Sequence, residues 1–253
     1  MSASLGPYME ARTRTPDRHD PFLVLAVAYF AVGLLAVVGR LGIEVGLVDS
    51  LPRVRWTMIH LVTIGGMTQA LFGVLPGVLT GDGPGFGGSR WLEWLLLNAG
   101  YPLVLVGMTA GSTVVALSGA TLVAAAVTVL FVDLWRTDLS VSTAPFFRVA
   151  PWFLVVGISM AFGLLLAWFG PGGYFGTLEA HVHANVWGFL ALIVAGTLLL
   201  VVSQLGEDDG LAYPRLERVT FWGLVLGASG LVAGPWLALH VLTFGGLAVY
   251  VVG

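Results

Sequence analysis

Eight apolar runs of about 20 residues each, parted by short polar or glycine-rich stretches, leave this chain very few folds. In hydrocarbon every backbone N–H and C=O must find its partner inside the segment, so each run is a helix or part of a closed barrel. The runs are continuous and lack apolar/polar alternation, which argues against a transmembrane β-barrel. The spans are predicted at 21–41, 55–79, 90–110, 112–134, 148–169, 177–204, 217–233 and 235–253. With 57% hydrophobic and 10% charged residues in 253, the fold class is all-α, a polytopic membrane helical bundle of about eight transmembrane helices.

Residues 1–20 are polar, carry Arg12, Arg14 and Arg18, and have no small-residue cleavage site before an apolar core. They are expected to form a disordered cytoplasmic tail, with 21–253 the transmembrane domain and no cleaved signal peptide. Gly111, Ser112 and Thr113 predict a tight turn between the third and fourth spans. Gly234-Pro235 predicts the break between the last two. The seventh span is short and the eighth ends without a polar flank, as in a truncated chain. Arg12, Arg14, Arg18, Arg90, Arg136, Arg148, Arg215 and Arg218 fall on one side, and Arg40, Arg53 and Arg55 on the other. The positive-inside rule then places the N-terminus in the cytoplasm and the protein in the plasma membrane.

Several chemistries are excluded. The chain has no cysteine, hence no disulfide, thiolate metal site, c-type heme attachment or cysteine nucleophile. The net charge of −3 does not suggest a nucleic-acid partner. All 11 basic residues are arginine, which with the acidic Glu207-Asp208-Asp209 loop would suit a halophile. Gly81–Gly88 is glycine-rich but lacks the strand and lysine of a phosphate loop, so it is expected to be a connector. No serine, acid and histidine arrangement resembles a hydrolase. Glu93 and Asp133 lie near helix ends and are expected to reach water.

Histidine is what remains. His60, His181, His183 and His240 each lie five or six residues inside a predicted span, at a common depth of roughly 8–10 Å. Ionisable groups at membrane depth are costly and usually mark an ion path, ligand or cofactor. His60, Thr63, Gly65 and Gly66 recur as His240, Thr243, Gly245 and Gly246, and His183 keeps the glycine five residues on, Gly188. Neutral imidazole is a usual ligand of b-type heme, two facing histidines giving a low-spin iron that transfers electrons. His181 and His183 are two apart and point about 200° from each other on a helix, so they cannot both ligate one iron from one side. Asn185 and Glu179 are placed to orient these imidazoles, with Glu179 equally suited to be a helix-entry carboxylate favoured by the macrodipole. Arg53, Arg55 and Trp56 stand just outside His60, where guanidinium groups would suit anionic propionates or an ordinary interfacial belt. Gly66, Ala70, Gly73 and Gly77 form a small-residue stripe, better suited to a close helix contact than to a cofactor wall.

Residues 180–189, with His181, His183, Asn185, Trp187 and Gly188, resemble the His-x-His helix of heme-copper oxidase catalytic subunits. Cytochrome c oxidases and nitric oxide reductases share that helix. The resemblance covers 55–79 and 177–204, about a fifth of the chain. It implies that His183 and His60 ligate a low-spin heme b, and that His181 is the candidate for a second heme. The family's His-Pro-x-x-Tyr segment and adjacent His-His pair are missing from this sequence, so no copper is expected. The chain would then be a reduced relative serving electron transfer or heme-based redox or gas sensing, in contact with the lipid bilayer. A redox partner protein, quinone or other respiratory subunits are its expected partners. If it is an enzyme, it is a respiratory oxidoreductase component. Two other classes compete: a small-molecule or ion transporter with a histidine relay, and a non-catalytic subunit of a respiratory complex.

Overall fold

The computed structural model describes residues 20–47, 49, 53–80, 88–137, 139, 141–205 and 214–253. The predicted tail up to residue 19, the connector at 81–87 and the Glu207-Asp208-Asp209 loop lie outside them. The described residues form helices and no strand: α1 (Pro21–Glu44), α2 (Val54–His60), a π-helical segment (Leu61–Thr68), α3 (Gln69–Thr80), α4 (Ser89–Ala110), α5 (Thr113–Arg136), α6 (Ala144–Leu165), α7 (Gly173–His183), a second π-helical segment (Ala184–Leu190), α8 (Ala191–Leu205), α9 (Pro214–Leu237) and α10 (His240–Val252). Seven continuous helices among these residues are long and apolar enough to cross a membrane. The protein is an all-α, multi-pass membrane protein. Helix α10 has 13 residues, about 20 Å at 1.5 Å per residue, and is shorter than a hydrocarbon core.

The chain divides into two compact units, 1–130 and 131–253. In the first, α1 packs on the helix that runs from α2 through the π segment into α3. The small-residue stripe makes that contact. A Cβ on Gly66 would stand 2.5 Å from the Phe30 ring, and one on Gly73 would meet Leu23 at 3.0 Å. Helices α4 and α5 lie backbone to backbone: a Cβ on Gly100 would reach the Gly119 carbonyl at 2.8 Å. The tight turn between them forms as predicted. Gly111 takes φ +70°, and Ser112 N–H returns to Gly107 C=O at 2.8 Å, closing a Schellman cap.

In the second unit α7 lies between α6 and α9, and α10 folds back on α9. Gly223, Gly227, Gly230 and Gly234 line one side of α9, and their missing side chains admit Tyr250, Gly246 and Thr243 of α10 and Gly253 just after it. The hairpin between α9 and α10 corrects one sequence reading. Pro235 sits inside α9, and the break falls at Ala238, with φ +58°, and Leu239. Leu239 N–H caps Gly234 C=O at 2.8 Å, so the chain turns only after another helical turn. An apolar run that continues to Leu237 outweighs the single hydrogen bond that proline removes. His240 is consequently the first residue of α10, exposed, and not five residues inside a span.

Glu93 corrects another. It does not reach water: the residue is 1% exposed and its Oε2 accepts from Arg90 Nη1 at 3.0 Å. Arg90, itself 7% exposed, also donates to Phe72 C=O at 2.6 Å and faces Asp20 at 3.6 Å. Phe72 C=O has room for it because Pro76, four residues on in α3, has no N–H to return. Asp20 in turn accepts Phe22 N–H at 2.9 Å and caps α1.

Candidate functional site

His60 and His183 each close an α-helix and stand directly before a π-helical segment, Leu61–Thr68 and Ala184–Leu190. Such changes of hydrogen-bond register are frequent at functional sites. The glycine five residues after each histidine lies inside the π segment and is buried against aromatic rings. A Cβ on Gly65 would stand 2.7 Å from Tyr29, and one on Gly188 would overlap Phe153. The third copy of the pattern differs. His240 opens an ordinary α-helix, and Gly246 packs on the Gly230 backbone.

In the second unit the two histidines of α7 part, as their spacing requires. His181 Nδ1 lies 2.8 Å from Gly157 C=O of α6, and His183 Nδ1 lies 2.7 Å from Leu231 C=O of α9. A carbonyl only accepts, so Nδ1 carries the proton in both rings, and in the neutral imidazole the lone pair is then on Nε2. The Leu231 carbonyl is open to His183 because Pro235, at i+4, has no N–H for it. Proline therefore provides the anchor that fixes this imidazole's tautomer and tilt. Nothing in the spacing of the histidines points to Leu231. The signal that could have found it is a proline inside an apolar helix, read as an unpaired carbonyl one turn earlier.

Asn185 stands beside His181, with Nδ2 donating to His181 C=O at 2.7 Å and lying 3.3 Å from Nδ1. Because that Nδ1 donates to Gly157, the amide contact holds the ring laterally while its hydrogen bond goes to the backbone. Gly157 is required here, since a Cβ would overlap the Asn185 amide. Glu179 is exposed on the same helix.

In the first unit, His60 Nδ1 lies 2.9 Å from Trp56 C=O, and its ring stacks on the Trp56 indole, centroids 4.0 Å apart at 24°. Arg53 and Arg55 are exposed at the start of this helix. Arg53 takes φ +53° and reaches Met108 Sδ at 3.6 Å. Among the described residues no three His, Cys, Asp or Glu side chains converge on a single ion position.

The donor chemistry of His181 and His183 fits a metal-porphyrin. Axial imidazoles bind iron through one nitrogen while the other donates to a carbonyl, which fixes orientation and raises basicity. Both rings are half-buried in a helix with apolar surroundings. Comparison with family models, curated proteins and solved structures gave no match.

Proposed function

We propose that this membrane protein binds b-type heme through its helix-borne histidines and serves electron transfer, or heme-based redox or gas sensing, without a copper centre. In this reading it is a reduced relative of the heme-copper oxidase catalytic subunits. The observation that carries the reading is His183, whose Nδ1–H is held by the Leu231 carbonyl that Pro235 leaves unpaired, so that Nε2 is offered as a ligand. The resemblance pairs it with His60 and gives His181 to a second heme. Bound heme would supply a reversible one-electron couple.

The protein's own groups do the rest. Backbone carbonyls orient the imidazoles, Asn185 steadies His181, and apolar helices keep water from the ligands. Arg53 and Arg55 offer guanidinium groups to carboxylates at the boundary. Electrons would be exchanged with a redox protein or a quinone. The arginine distribution puts the N-terminus in the cytoplasm and these histidines in the outer half of the plasma membrane.

Purification from cells supplied with heme, followed by absorption spectroscopy and pyridine hemochrome assay, checks the reading. A Soret band with at least one b-type heme per chain is expected. A colourless protein that takes up no added heme would defeat it, and histidine-dependent uptake of a small solute by such a protein would favour a transporter.

A further inference from the structure

We propose that the interior of the first unit holds bound water between Gln69, Trp94, Asn98 and Tyr101. Along α4 the last three recur at intervals of four and three residues, so they share one side of the helix. Gln69, at the head of α3, hydrogen-bonds Asn98 and is completely buried, as is Tyr101.

The amide assignments are fixed by neighbours. Asn98 Nδ2 donates to Trp94 C=O at 2.9 Å, which leaves Oδ1 to accept from Gln69 Nε2 at 2.5 Å. Gln69 Oε1 is thereby turned away from its only amide partner. It is buried with no hydrogen bond, as are Trp94 Nε1 and Tyr101 Oη. Asn98 C=O also lacks its usual donor one turn on, because Pro102 inside α4 has no N–H.

The required ligand follows from these groups. Trp94 Nε1–H can only donate, Gln69 Oε1 and Asn98 C=O can only accept, and the Tyr101 hydroxyl does both. An anion has nothing to give the two acceptors, and a cation nothing to take the indole proton. Small neutral molecules with both capacities can satisfy these groups in turn, and water is the one always at hand. Tyr101 also touches the position of Gly65, in the π-helical segment that follows His60, so the site joins the His60 helix to α4. The inference does not rest on heme binding.

Brief X-ray radiolysis of the full-length protein in detergent, read by mass spectrometry, tests it. Radicals generated from water in place oxidise the side chains that water touches. Tyr101 should be oxidised several-fold faster in the wild type than in Gln69→Leu or Trp94→Phe, each of which removes one polar wall. Phe22 and Phe72, equally buried in the same unit, should remain unmodified throughout. Tyr101 oxidation as slow as that of Phe72, or unchanged in a variant that still folds, would overturn the proposal.

Discussion

Arg90→Ala should destabilise the first unit by about 3–5 kcal/mol, the cost of removing one partner from a buried ion pair. The guanidinium does three jobs. It faces Glu93 and Asp20, donates to the Phe72 carbonyl that Pro76 leaves open, and lies over the Phe22 ring at 4.6 Å. Alanine would leave the Glu93 carboxylate, 1% exposed, without its cation in a low-dielectric interior, and the Phe72 carbonyl without a donor. The Arg90→Leu, Glu93→Leu double variant should recover the part owed to the stranded Glu93 carboxylate, while the Phe72 carbonyl and Asp20 still lack their partner. Unfolding by SDS titration of the purified protein, followed by tryptophan fluorescence, measures both. A single variant as stable as the wild type would show that the cluster is hydrated.

Gly230→Leu should separate α10 from α9. A Cβ at this position would stand 2.7 Å from the Gly246 Cα and 2.9 Å from the Leu242 carbonyl. Both are backbone atoms that cannot swing aside, so the helices must move apart along a seam built on four glycines. Overpacking of this kind costs about 1–3 kcal/mol, and more where no rotamer change relieves it. Limited proteolysis after Leu237 should become faster, while Gly245→Leu, where a Cβ meets nothing within 4 Å, should leave the rate unchanged. Equal rates for Gly230→Leu and the wild type would contradict the close seam.

Most of the architecture was legible because lipid imposes so simple a rule. Apolar runs became helices, Gly111 made the turn that its freedom at positive φ allows, and the Gly66–Gly73 stripe received α1. The two-residue spacing of His181 and His183 told correctly that they face different neighbours. What the spacing could not tell was the use of prolines. Pro235 was expected to break the helix, and Pro76 carried no reading at all, yet both lie inside a helix, and each frees a carbonyl that a distant side chain then takes: Arg90 in one unit, His183 in the other. The same logic escaped the reading of Glu93, whose burial depends on Arg90 being tied to a carbonyl of another helix. The π-helical segments were also hidden: Gly65 and Gly188 within them pack closely on aromatic rings, a tertiary contact that no local pattern announces.

The heme assignment is tested most directly by reduced-minus-oxidised absorption spectra of His60→Ala, His183→Ala and His240→Ala beside the wild type. The wild type and His240→Ala should show the same low-spin b-type difference spectrum, and His60→Ala and His183→Ala should each lose it. A spectrum unchanged in both of those variants would contradict the account.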